Sequence, residues 1–90
     1  MALGVARGYL RGMLRSYEAR NFRLVNPGRD TVRKGVGSHR YNAADDVDAV
    51  QAVKTLFRGT FDPALDQITV YELREGEKDR LITFLEGDLA

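Results

Sequence analysis

Cysteine and tryptophan are absent from these 90 residues, proline occurs twice and histidine once. Without cysteine there is no disulfide and no thiolate metal site, a composition that fits a reducing compartment. A single histidine, His39, cannot build a metal site without carboxylates, and the nearby aspartates already suit a helix N-terminus; no metal and no cofactor are expected. No apolar run approaches the ~18 residues that span a bilayer. No basic-then-apolar stretch with a small-residue cleavage site marks a secretory signal, so the expected location is the cytoplasm.

At 90 residues the chain is expected to form one domain, 1–90, with no repeat, linker or low-complexity tract. A core this small leaves a thin stability margin, which docking or self-association would widen. The overall net charge of +1 hides an asymmetry. Residues 1–40 hold nine basic residues against two acidic, a net +7. Residues 41–90 hold five basic against eleven acidic, a net −6. Either the two halves neutralise each other on folding, or the basic half meets an anionic partner.

The pattern predicts an α+β fold of order α-β-β-α-β-α, with a three-stranded, mostly antiparallel sheet and helices packed on it. Residues 3–19 place Leu3, Ala6, Tyr9, Leu10, Met13, Leu14 and Tyr17 on one arc of a helix, with Arg7, Arg11 and Arg15 opposite. Gly4, Gly8 and Gly12 flank that arginine stripe; a bare backbone strip there would let another helix or a phosphate backbone approach. Asn21–Val25 and Thr31–Val36 read as a hairpin about Asn26-Pro27-Gly28-Arg29, with proline and glycine placed for a type II turn. The returning strand is basic and glycine-containing, as an irregular edge would be. A second helix begins at Asn42 as N-cap, opens with Asp45, Asp46 and Asp48, buries Val47, Val50, Val53, Leu56 and Phe57, and closes at Gly59. Residues 68–73 read as a strand and 75–86 as a closing helix.

The segment Lys34-Gly35-Val36-Gly37-Ser38-His39-Arg40 lacks the ending of a P-loop and the third glycine of a dinucleotide fingerprint, and reads as a basic loop. His39-Arg40-Tyr41-Asn42, followed by Asp46-Val47-Asp48, resembles a segment near the C-terminus of class V aminotransferases and cysteine desulfurases. There a strand ending in His-x-Tyr-Asn leads into a helix opening with acidic residues. Val36 stands where that family has arginine, and its cofactor domain has no room here. The resemblance implies a strand-to-helix turn at 38–46 and says nothing about pyridoxal phosphate. The paired carboxylates Asp62 with Asp66, and Glu72 with Glu75 and Glu77, sit where exposed acids are routine.

The expected function is therefore non-enzymatic: a small structural or accessory subunit, docking into a larger protein assembly through its basic helix and hairpin. The docking residues would be Gly4, Arg7, Gly8, Arg11, Gly12, Arg15, Arg23, Arg29, Arg33, Lys34 and Arg40, set against an acidic protein surface, a neighbouring subunit or a second copy. The alternative is a nucleic-acid-binding protein for RNA or single-stranded DNA. Arginine suits phosphate forks, and Tyr9, Tyr17, Phe22 and Tyr41 lie in the basic half where they would stack on bases. A third reading, a membrane-surface or targeting helix over 1–20, is weakened by the three glycines.

Overall fold

The computed structural model describes residues 14–89. Four strands and one helix follow in the order β1 (Arg15–Val25), β2 (Val32–Ala43), α1 (Asp46–Phe57), β3 (Asp66–Leu73) and β4 (Arg80–Glu86). All pairings are antiparallel, and the sheet runs β2-β1-β3-β4. β2 and β3 therefore lie parallel on either side of β1, joined by α1 in a split β-α-β unit.

Side-chain alternation assigns the faces. Tyr17 and Ala19 of β1, Ala43 of β2, and Ile68 and Val70 of β3 point to one side. With Ala49 and Val53 of α1 they form the core. Tyr41, Phe57, Phe61, Ile82 and Leu85 pack around it. The Tyr17 and Tyr41 rings stack at 5.9 Å. Burial pushes the Tyr41 phenol up to about 12, so it stays protonated and donates to the Ala49 carbonyl at 2.8 Å. Asp45 caps α1 by accepting from the Asp48 amide at 2.9 Å.

The fold differs from the sequence expectation in three ways. Residues 15–19, expected as the end of a first helix, begin β1. Gly4, Arg7, Gly8, Arg11 and Gly12 lie outside the described residues. The segment 75–86, expected as a helix, is a turn followed by β4. Gly76 takes φ 75° where that helix would begin, and the Glu77 amide closes the turn on the Arg74 carbonyl at 3.2 Å. Beyond it, Ile82, Thr83 and Phe84 are β-branched or aromatic and side with the strand. The described order is thus β-β-α-β-β with four strands, rather than α-β-β-α-β-α with three. Thirdly, α1 is capped by Asp45, three positions after Asn42, and its apolar stripe is narrower than expected. Ala49 and Val53 are buried, whereas Val47 and Leu56 are exposed.

The first hairpin forms about the turn its sequence predicts, but its strands, expected over 21–25 and 31–36, run over Arg15–Val25 and Val32–Ala43. Asn26, Pro27, Gly28 and Arg29 form a turn closed by the Arg29 amide on the Asn26 carbonyl at 3.2 Å, with Gly28 at φ 86°. Gly28→Ala should lower stability by about 1 kcal/mol, because a Cβ disfavours that backbone region even though no atom obstructs it. Chemical denaturation measures the loss. The strand-to-helix turn expected at 38–46 is also present, with β2 ending at Ala43 and α1 starting at Asp46.

Candidate functional site

Among the described residues, α1 lies on one face of the sheet and no element lies on the other. The pairing register assembles that open face: Ser16, Glu18, Arg20, Phe22 and Leu24 from β1, facing Asn42, Arg40, Ser38, Gly35 and Arg33 from β2. From the other side come Gln67, Thr69, Tyr71 and Leu73 of β3, and Leu81, Phe84 and Glu86 of β4. A bulge between Asn21 and Phe22 keeps Arg33 on this face. Gly35 leaves room beside Phe22, since a Cβ there would approach the ring at 3.8 Å.

Cations and rings interleave across this surface. The Arg20 guanidinium lies 4.1 Å from the centre of the Tyr71 ring. The Arg33 guanidinium lies 3.8 Å from the centre of Phe22 and 5.5 Å from that of Phe84. Glu18, almost buried, accepts from Arg20 Nε at 2.6 Å and from Arg40 Nε at 3.2 Å. Arg20 above all, then Arg40, holds the Glu18 carboxyl below its usual range against the opposing effect of burial. Arg20 also reaches Asp79 at 3.0 Å. Gln67 donates to Glu86 at 3.3 Å. Thr69, 5 % exposed, has a buried hydroxyl with no hydrogen-bond partner among the described residues.

The basic residues named from sequence divide into two groups. Arg15 lies 3.9 Å from Asp46 and 3.8 Å from Glu72. Arg23 pairs with Asp66 at 2.7 and 3.2 Å. These pairs join the basic half of the chain to the acidic half, so much of the charge asymmetry cancels inside the fold. Arg40 is occupied with Glu18. Arg29, Arg33 and Lys34 form no ion pair among the described residues. All three lie on the β1–β2 hairpin, beyond or beside the point where β3 stops pairing with β1. Lys54, Arg58 and Lys78 likewise form no ion pair among the described residues, but only the hairpin gathers three such cations at one end of the sheet.

The other candidates have structural duties. Lys34–Arg40 is strand rather than loop and forms no phosphate cradle. His39 packs edge-on against Phe57 at 5.4 Å beside a cleft of about 250 Å³ lined largely by apolar side chains. Among the described residues no group of acids and histidine is placed to hold a metal. Asp66 is held ionised, first by Arg23 and also by the Asp62 amide, and Glu72 is tied to Arg80 at 2.8 Å. Of the aromatics expected to stack on bases, Tyr17 is fully buried and Tyr41 lies beneath α1. Tyr9 is outside the described residues, and Phe22 alone remains available. Sequence reasoning passed over Arg20, Tyr71 and Phe84, because only strand pairing brings them beside Phe22.

In comparisons with known proteins, no family model, no curated protein and no solved structure matches this chain.

Proposed function

We propose that this chain is a non-enzymatic nucleic-acid-binding module that presents the open face of its sheet and the basic hairpin to the ligand. The observation that supports it is Arg33: a guanidinium with no ion pair among the described residues, lying over the Phe22 ring and near Phe84 on the sheet face that no described element covers, with Arg29 in the turn of the same hairpin. Phosphates take up unspent cations, and flat rings take up bases. An acidic protein surface would meet the same cations; the interleaving of cation and flat ring is what favours a ligand that carries both phosphate and base. The protein-docking expectation rested largely on the segment 3–19; its hairpin residues are assigned here to a different ligand.

The test is fluorescence anisotropy with a labelled 12-nucleotide single strand and a 12-base-pair duplex, titrated across salt concentration. Binding in the non-specific range of about 10⁻⁴ to 10⁻⁶ M is expected, weakening as salt rises. Replacing Arg29, Arg33 and Lys34 together by glutamine should lower the slope of log K against log salt by roughly 2, about 0.7 per phosphate on a single strand. The same variant should melt close to the parent, because exposed charges contribute little to stability. Absence of binding to both oligonucleotides at low salt would overturn the reading.

A further inference from the structure

We infer that the Phe22–Arg33–Phe84 stack is a seat for one unpaired base, occupied in the free protein by the Arg33 guanidinium. The inference rests on the nucleic-acid reading and sharpens it: the ligand is single-stranded, and Arg33 leaves the rings when it binds.

Three observations lead there. A guanidinium is a flat, delocalised plate of the kind that stacks on aromatic faces. The seat that holds it at 3.8 Å from Phe22 and 5.5 Å from Phe84 therefore already has the shape a nucleobase needs. Phe84 is nevertheless 42 % exposed, so the guanidinium covers it only in part and a larger plate would bury more. Finally, the residues beside the seat are polar. Gln67 opposes Phe22 across the β1–β3 pair, and Thr69 opposes Phe84 across the β3–β4 pair. The Thr69 hydroxyl is buried without a partner among the described residues, a cost that rearrangement of the layer above it would relieve.

Charge decides between a single strand and a duplex. Glu86 and Asp79 border the same face, the former beside Gln67 and the latter against Arg20. A rigid duplex laid across the sheet would bring its phosphate ladder onto those carboxylates. A single strand can turn its base down onto Phe22 and Phe84 and its phosphates outward to Arg29 and the released Arg33. The ring–cation contact of the free protein is exchanged for base stacking plus an ion pair between Arg33 and a phosphate.

The experiment uses the full chain with three probes: U12 RNA, dT12 DNA and a 12-base-pair DNA duplex. Phe84→Ala should bind both single strands about 5- to 150-fold more weakly, the loss expected for one stacked base. Its affinity for the duplex should change by less than about twofold. U12 and dT12 report whether the ribose 2′-hydroxyl matters to the seat. Phe84→Trp keeps the platform and supplies the chain's only tryptophan, whose emission should be quenched on saturation with either single strand. In a Phe84→Trp/Arg33→Gln variant the quenching should persist while the salt slope falls by about 0.7. Equal losses on single strand and duplex in Phe84→Ala, or no quenching of Phe84→Trp at saturation, would overturn the seat and leave general nucleic-acid binding standing. Failure of all three probes to bind would remove the reading beneath it as well.

Discussion

A Val53→Asp variant is expected to show no cooperative unfolding transition, whereas Val47→Asp on the same helix should fall within about 0.5 kcal/mol of the parent. Val53 is 2 % exposed and belongs to the seam where α1 meets Ala19 and Tyr41. An unpaired carboxylate there carries a desolvation cost of several kcal/mol unless it takes up a proton. A chain of this length commands roughly 5 to 13 kcal/mol in total, and here much of the core is alanine and valine. Val47 is 69 % exposed, in the first turn of the helix. A carboxylate at that end is favoured by the helix dipole and disfavoured by its neighbours Asp46 and Asp48, two small effects of opposite sign. Far-UV circular dichroism through a urea titration separates the outcomes. A cooperative Val53→Asp transition would detach α1 from the core.

That contrast also shows where the sequence stops being informative. Val47, Val50, Val53, Leu56 and Phe57 all satisfy a helical stripe, and periodicity alone cannot say how wide a stripe the sheet will cover. The helix, the turn at Pro27-Gly28 and the strand at 68–73 are legible because each carries local chemistry: an acidic first turn, a residue suited to positive φ, a β-branched run. β1 and β4 are not. Arg15–Arg20 and Leu81–Glu86 have side chains compatible with either helix or strand, and the sheet decides. β1 is hydrogen-bonded on both sides, by β2 and β3, a gain no local propensity registers. The site shares this limit. Arg33 and Phe22 were visible as a cation and a ring in the basic half; Tyr71 and Phe84 come from the acidic half, and only the β1-β3-β4 pairing brings them onto the same face. The charge asymmetry was readable in number but not in destination, since Arg15 and Arg23 neutralise acids across the fold while Arg29, Arg33 and Lys34 do not.

Tyr17→Ala should come close to unfolding the protein, and Tyr17→Phe should produce a smaller loss that depends on pH. The Tyr17 ring is fully buried on the central strand and stacks on Tyr41. Removing a buried ring of this size costs about 3 to 5 kcal/mol through lost transfer energy and the cavity left behind, and here it also strips support from Tyr41. Tyr17→Phe keeps the ring and deletes only the hydroxyl that donates to Asp46 at 3.0 Å. A hydrogen bond to a carboxylate contributes about 1.5 to 3 kcal/mol when desolvated. Asp46 is a third exposed and keeps both of its Arg80 contacts at 2.9 Å, so about 1 kcal/mol is expected. Asp46 sits below its usual carboxylate range, chiefly because of Arg80 and secondarily because of Tyr17, with burial opposing. A carboxylate depressed in the folded state contributes stability that is fully present above its unfolded pKa, about 3.9, and is lost as pH falls through the folded value. Deleting the Tyr17 hydroxyl raises the folded value towards the unfolded one. The difference between parent and Tyr17→Phe should therefore be full at pH 7 and shrink as the solution is taken below about pH 4. Urea titrations at pH 7, 5 and 3 measure it. A difference that stays constant with pH would mean that the hydroxyl acts through packing alone, without stabilising the Asp46 charge.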